Sequence, residues 1–312
     1  MTERWPAIPY TDWKETAAAL HLQCQILGKY RLAHTPWVNH SWHATLYPVP
    51  SGLTTGPVHD GEATITLGLD FKRHLVTAEN MTGEELSFPL EPMSIAAFLT
   101  RTEDLIVRAG GRPVMHGAPN ELPDATPFAE DTAERPYDRE AVQRFHRALL
   151  SVAGVFERFR TAYLGKVSPV HLFWGSFDLA VTRFSGRSAP LHPGGVPNLP
   201  DAVTREAYSH EVSSAGFWPG GGGVEEAMFY SYAYPAAEGF DRQPVHPEAA
   251  RFDEKLGEFV LPYEAVRRAE DPESALLDFL QSTYEAAAVT ADWDRSSLEC
   301  AIGRPRVPRQ VG

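Results

Sequence analysis

Apolar residues recur along the first third of the chain at two different periods. Over residues 12–29 they are spaced three or four apart, which predicts a helix with one buried face. In the four short runs that follow, apolar, aromatic and β-branched residues alternate with polar ones, and these runs predict strands. The runs are residues 38–48, 63–71, 74–78 and 85–90. Ser94 then begins a second predicted helix, which ends at Gly110 and Gly111.

The second half of the chain predicts the same order of elements. A helix begins at Asp138, and it is followed by strands and a closing helix. The strands of this half are predicted at residues 170–184, 228–234 and 258–262. Asp271 followed by Pro272 marks the start of the closing helix, because aspartate caps a helix and proline suits its first position.

Two segments, one in each half, are similar to each other. Residues 27–29 close the first helix and precede the aromatic run that contains His40, while residues 164–166 close a later helix and precede the run that contains His171. An internal repeat of this size predicts an α+β fold with two pseudo-symmetric halves, each of helix, about four mostly antiparallel strands and helix. The halves would pack around a shared cleft, with His40 and His171 at related positions.

The predicted boundaries follow from changes in composition. Residues 1–112 form the N-terminal half, and residues 113–137 form a proline-rich acidic linker without periodic pattern. Residues 138–303 form the C-terminal half, which carries a lid-like insertion at residues 185–224. The last residues, 304–312, are predicted to be a frayed tail. We expect the two halves to form one compact body.

The charge balance excludes several classes of partner. The chain has 28 lysine and arginine residues against 41 aspartate and glutamate residues, a net charge of −13 at pH 7. Binding to nucleic acids or to anionic membranes needs a basic protein surface, and a chain with this net charge is not expected to have one. No apolar run approaches the ~20 residues that span a bilayer, and no signal peptide is recognisable. We therefore expect a cytoplasmic protein whose partner is a small molecule; a homo-oligomer is compatible with the sequence.

Four motifs carry a resemblance to a known family. They are residues 37–43 (WVNHSWH), 165–171 (GKVSPVH), 174–178 (WGSFD) and 208–220 (YSHEVSSAGFWPG). On these motifs the chain resembles a bacterial family known only as a domain of unknown function, from about residue 5 to residue 293. The resemblance implies no activity, cofactor or catalytic residue.

Three histidines far apart in the sequence are candidate metal ligands. We predict that His40, His171 and His210 meet in one cleft. Three imidazole ligands with an open coordination position are typical of a catalytic site for zinc, iron, copper or nickel. Alternatively, these are buried histidines that hydrogen-bond to their surroundings, or His210 transfers protons without a metal. No nucleotide cofactor is expected, because no nucleotide-binding glycine motif is present.

Residues 204–220 are dense in reactive and aromatic side chains and form the leading candidate segment for a site. The predicted catalytic residues are His210, Glu211 and Asp178. The predicted substrate contacts are Tyr208, Trp218, Arg183, Trp42 and Phe173. Arg183 would hold an anionic group by a bidentate contact, unless it forms an ordinary surface salt bridge. A serine nucleophile at Ser213 or Ser214 is disfavoured, because no Gly-x-Ser-x-Gly turn surrounds them.

These patterns favour an enzyme that acts on a small, partly apolar molecule, with a transition metal as a candidate cofactor. A non-catalytic binder of small molecules would use the same aromatic cleft. The aromatic residues could also bury a dimer interface in an interaction protein.

Overall fold

In residues 3–309, which the computed structural model describes, the chain forms two antiparallel sheets of five and six strands together with seven α-helices. The predicted α+β class and the mostly antiparallel pairing are therefore confirmed. The helices are α1 (Lys14–His34), α2 (Ile95–Arg108), α3 (Arg139–Arg160), α4 (Asp201–Ala207), α5 (Tyr263–Arg267), α6 (Pro272–Thr290) and α7 (Arg295–Leu298). None of these helices combines the length and the apolar character of a bilayer-spanning segment.

Three of the helices begin where the sequence places a capping residue. The side chains of Ser94, Asp138 and Asp271 each accept a hydrogen bond from the backbone N–H three residues later, at the start of α2, α3 and α6. These bonds satisfy donors that the first helical turn leaves free, which fixes the helix start locally. Helix α1 extends to His34, beyond the predicted end at Lys29.

The first sheet is a simple meander in which every strand pairs with the next along the chain. Its strands are β1 (Tyr47–Val49), β2 (Gly52–Asp60), β3 (Ala63–Asp70), β4 (Leu75–Asn80) and β5 (Glu85–Pro89). Helix α2 packs against β4 and β5, and α1 contacts β2. The predicted strand at residues 38–48 is wrong over most of its length, because residues 39–41 form a short 3-10 helix, residues 42–44 form a turn, and β1 begins only at Tyr47.

The second sheet has the order β6-β7-β8-β9-β11-β10. Its strands are β6 (His171–Phe173), β7 (Asp178–Ser188), β8 (His210–Trp218), β9 (Met228–Tyr234), β10 (Arg251–Asp253) and β11 (Glu258–Pro262). The predicted long strand at residues 170–184 is instead the hairpin of β6 and β7. The predicted insertion at residues 185–224 is also too broad for a lid, because β8 lies in the middle of the sheet. Within this range, residues 189–209, which include α4, and residues 219–224 lie outside the sheet.

The two faces of the second sheet differ, because side chains along a strand alternate between its faces. Odd-numbered residues such as Leu179, Phe217 and Phe229 are fully buried on the face that packs against α3 and α6. The even-numbered residues of β7, β8, β9 and β11 point the other way. On β6 the odd-numbered residues share that face, because Phe173 pairs with Asp178. This alternation decides which side chains can reach the candidate site.

The proposed equivalence of His40 and His171 is wrong. His40 lies in the 3-10 helix with a left-handed φ of 60°, whereas His171 is the first residue of β6. The second sheet also departs from a plain meander, since β11 lies between β9 and β10. Pseudo-symmetry between the two halves stays a prediction, and the positions of His40 and His171 do not support it.

The segment predicted as a linker, residues 113–137, is packed against the rest of the protein. Phe128 is buried within it, and Arg135 pairs with Met93 through two backbone hydrogen bonds. Buried apolar residues of both halves belong to one continuous cluster. In the predicted tail, Arg304 forms a bridge with Val307, while residues 310–312 lie outside the described residues.

Gly28 provides a test of this packing. The indole of Trp174 lies directly against it, so that a Cβ at this position would overlap the ring. We predict that Gly28→Ala destabilises the protein by about 1–3 kcal/mol, because overpacking outweighs the gain in helix propensity. The control is Gly154→Ala in α3, where nothing lies within 4 Å of the new Cβ. Urea unfolding should show Gly154→Ala stabilised by about 0.5–1 kcal/mol, and equal stabilisation at both glycines would contradict the packing.

Candidate functional site

A cavity of about 630 Å³ lies over the even-numbered face of the second sheet. This volume falls within the roughly 300–1,000 Å³ of typical small-molecule sites. The sheet forms its floor. Its roof comes from α1, the 3-10 helix at residues 39–41, residues 116–121 and residues 196–208, which include α4. Trp37, which is 52% exposed, lies at its opening.

The floor follows from strand register. Thr182, Ser214 and Tyr232 lie side by side on β7, β8 and β9, and all three side chains face the cavity. The same face carries residues from every strand of the sheet except β10. These floor residues are Phe173, Asp178, Ala180, Thr182, Phe184, Val212, Ser214, Trp218, Tyr230, Tyr232 and Glu258.

Hydrogen bonds between distant segments hold the roof in place. The buried Gln25 of α1 exchanges two bonds with the backbone of Asn120, at 2.8 and 3.0 Å. The backbone N–H of Glu121 donates to the carbonyl oxygen of Pro197 at 2.9 Å, and the Asn198 side chain donates to Leu122 at 2.6 Å. Segments far apart in the sequence are thereby fixed over the sheet.

Several residues predicted from the sequence line this cavity. Asp178, Trp42, Phe173, Tyr208 and Trp218 are all part of its wall. Tyr208 is held by a hydrogen bond of 2.8 Å between its hydroxyl and that of Tyr232. The aromatic character predicted for the site is therefore present, and the roles of these residues stay proposals.

Two predicted roles are wrong because the side chains point away from the cavity. Glu211 has an odd number on β8, and its carboxylate accepts hydrogen bonds from Arg187 and from the hydroxyl of Ser185, at 2.9 and 2.8 Å. Arg183 has an odd number on β7 and is 1% exposed. Its guanidinium packs over the ring of Phe159 and donates to that residue's carbonyl oxygen at 2.6 Å. Neither side chain can contact a ligand in the cavity.

The predicted histidine triad does not form. Of the three, only His40 lines the cavity. The centre of the His210 ring lies 6.2 Å from that of His40, but His210 is not part of the wall, which does not support its predicted catalytic role. His171 is fully buried in the protein core and is not part of the wall either. Burial lowers the pKa of His171 to about 3. Within residues 3–309 no three histidine, cysteine, aspartate or glutamate side chains are grouped so that they could hold a metal ion. The transition-metal cofactor stays a prediction without a ligand set.

His40 is tied to its surroundings at both ring nitrogens. Nδ1 lies 2.7 Å from the carbonyl oxygen of Ala207, and Nε2 lies 2.6 Å from the Lys166 ammonium. The carbonyl can only accept, so Nδ1 carries the proton and Nε2 accepts from Lys166. Burial lowers the pKa of His40, and the nearby Lys166 charge lowers it further. His40 is therefore a neutral imidazole at neutral pH.

Sequence reasoning missed two carboxyl groups that face the cavity. Glu121 lies in the segment predicted as a linker, and its carboxyl group packs directly against the Cα of Gly175. Glu258 begins β11, next to Tyr232 on the neighbouring strand. Neither carboxyl group has a hydrogen-bond or ion-pair partner among residues 3–309. The even position of Glu258 on a predicted strand was the available signal, whereas Glu121 carried none.

Three carboxyl groups share this space with one lysine. Burial raises the pKa of Glu121 to about 7 and that of Glu258 to about 7, and the Asp178 charge adds to both shifts. Burial also raises the pKa of Asp178, although hydrogen bonds from the hydroxyls of Ser176 (2.5 Å) and Tyr230 oppose this. Burial lowers the pKa of Lys29 to about 8. Such shifted groups in a cavity are typical of functional sites.

The chain belongs to the family described as "Family of unknown function (DUF5996)", which matches residues 5–300. The predicted resemblance is therefore confirmed. No curated protein and no solved structure matches the chain.

The raised pKa values predict a cost in stability that depends on pH. Below pH 4.5, the ordinary pKa of glutamate, the folded and unfolded chains both keep the proton. From there to about pH 7 the unfolded chain loses it while the folded chain keeps it, so stability falls as pH rises. Glu121→Gln and Glu258→Gln should each stabilise the protein by about 1–3 kcal/mol at pH 8 and by little at pH 4.

Thermal or urea unfolding across this pH range measures the effect. The matched control is Glu254→Gln, which removes an exposed carboxylate and should change stability little at either pH. If both cavity variants were less stable than the wild-type protein at pH 8, the conclusion that burial raises the pKa of Glu121 and Glu258 would be wrong.

Proposed function

We propose that the protein is an enzyme that transfers protons to and from a small, partly apolar molecule bound in the cavity. The observation that carries this proposal is the arrangement around Asp178, a buried carboxyl group. It shares one cavity with the carboxyls of Glu121 and Glu258, which have no partner in the described part of the chain. A merely structural carboxyl would be expected to have partners, because an unpaired buried charge is costly.

The carboxyl groups divide into two kinds. Asp178 is oriented by Ser176 and Tyr230, whose hydroxyls donate to its two oxygens. Its position is therefore fixed, which suits a group that orients or stabilises a reacting centre. Glu121 and Glu258 have no such partners among residues 3–309, and burial raises the pKa of each to about 7, which suits a general acid or base.

The walls of the cavity explain the preference for a partly apolar molecule. Trp42, Phe173, Tyr208 and Trp218 present ring surfaces, while hydroxyl groups such as those of Thr182 and Ser214 are satisfied by each other at 2.8 Å. A ligand with an apolar body would cover the rings without leaving buried polar groups unpaired. Its reactive polar group would then face the carboxyls.

Activity can be tested without a known substrate. The purified protein is incubated with a metabolite extract, and mass spectrometry follows compounds that disappear while new ones form. We expect Asp178→Asn and Glu121→Gln each to slow the conversion by about 10²–10⁴-fold, because each removes a proton-transfer or orienting group. Glu121→Gln should do so while keeping or gaining stability, which separates loss of chemistry from loss of fold.

The control is Glu211→Gln, which makes the same substitution on the opposite face of β8 and should leave the conversion unchanged. A compound that binds the wild-type protein and is never converted would favour the non-catalytic binder. Full activity of Asp178→Asn would reject the proposed mechanism.

A further inference from the structure

We propose that the molecule held in the cavity carries a positively charged amine beside its apolar or aromatic body. This inference rests on the proposed use of the cavity as a small-molecule site and adds the class of ligand.

The first argument is the balance of charge around the cavity. Asp178, Glu121 and Glu258 bring three carboxyl groups from three separate segments, whereas Lys29 is the one lysine that lines the cavity in residues 3–309. The single charge of Lys29 lowers the pKa of Glu121 but cannot balance three carboxyl groups. Its ammonium also donates to the side-chain oxygen of Asn120 and lies over the ring of Trp174. Among residues 3–309, the carboxyl groups of Glu121 and Glu258 have no ion-pair or hydrogen-bond partner, so part of the carboxylate charge stays unbalanced.

The other titratable groups of the wall do not supply the missing charge. His40 is neutral at neutral pH for the reasons given above, and His116 is exposed at the cavity wall. Burial raises the pKa of Tyr208 to about 12, so its hydroxyl keeps its proton, as do the hydroxyls of Tyr230 and Tyr232. A bound cation would therefore be the principal counter-charge for Glu121 and Glu258.

The second argument is independent of the carboxyls and comes from the aromatic walls. Two ammonium groups of the protein already lie over cavity rings, Lys29 at 5.3 Å from the centre of the Trp174 ring and Lys166 at 5.2 Å from that of Trp42. Ring faces attract cations. The rings of Tyr230 and Tyr232, stacked with centres 6.1 Å apart, line the same cavity, and the Tyr230 hydroxyl donates to Asp178. Aromatic surface and carboxyl groups therefore adjoin each other in this wall.

An anionic ligand would be repelled by the same carboxyls, and a neutral ligand would leave their charge unpaired. An ammonium group placed near Glu121 and Glu258 favours their ionised forms, so binding near pH 7 must release protons. Lys29, with its pKa lowered to about 8, would respond in the same direction. Proton release on binding is thus a signature of a cation in this cavity.

The test uses matched probes that differ only in charge. Tryptamine, phenethylamine and choline are compared with their neutral isosteres tryptophol, 2-phenylethanol and 3,3-dimethylbutanol, and with the anion indole-3-acetate. Isothermal titration calorimetry at pH 7 in two buffers of different ionisation enthalpy gives affinity and proton release together. We expect at least one amine to bind about tenfold or more tightly than its neutral isostere, with release of protons.

Variants assign the effect to the carboxyls. Glu121→Gln and Glu258→Gln should each weaken the amine about tenfold or more and leave the neutral isostere unchanged, since the shape of the wall is kept. The exposed Glu254→Gln should change neither. If no amine binds, if a neutral isostere or indole-3-acetate binds as well as the amine, or if binding takes up protons, the inference is rejected.

This result is separable from that of the proposed function. Conversion of a neutral or anionic metabolite by the wild-type protein, lost in Asp178→Asn, would uphold the enzyme and overturn the cationic ligand. Selective binding of amines without any conversion would uphold the cationic ligand and reject the enzyme.

Discussion

The two-residue period of the second sheet is the constraint on which the candidate site depends. One face of β7, β8 and β9 is committed to the core beneath α3 and α6, so only the even-numbered positions can reach a ligand. Asp178 and Arg183 are five residues apart on β7, so their side chains lie on opposite faces of the sheet. Asp178 faces the cavity, and Arg183 packs against aromatic rings. A shift of one residue in register would exchange them, placing a guanidinium in the cavity and a carboxyl in an apolar core. The buried face makes such a shift costly, and the chemistry of the site is protected by the same packing that stabilises the fold.

Three glycines shape the cavity because they have no side chain. Trp174, Glu121 and Tyr230 lie directly on the backbone of Gly28, Gly175 and Gly216 respectively, where any Cβ would overlap them. Two ring systems and a carboxyl group are thus seated close to the backbone, where the neighbouring main chain restricts their movement. A roof of irregular segments can therefore keep a defined shape, because its loops are bonded to α1 and packed on the strands as well as bonded to each other.

The sequence predicted the local elements well and the assembly of the site only in part. Strand and helix periods depend on neighbouring residues, and the two late strands at residues 228–234 and 258–262 occur where alternation placed them. The meeting of distant residues depends on the path of the chain between sheets, which no local pattern encodes. His171 was grouped with His40 by similarity of sequence, yet one begins a buried strand and the other lies in a 3-10 helix. Glu121 was overlooked because an acidic, proline-rich segment is usually solvated, and here that segment forms part of the roof.

The carboxyls of the cavity are difficult to explain by stability alone. Neutral side chains of the same shape would remove the cost of burying Glu121 and Glu258 above their ordinary pKa, and the continuous apolar core does not need them. Proteins retain such costs mainly where function requires them. A bound cation would balance the charge of these carboxylates. The free energy that their burial costs the protein would then contribute to the affinity for that cation. The same linkage runs in the opposite direction for an anion, whose binding would need protons to be taken up, and selectivity by charge therefore follows from burial itself.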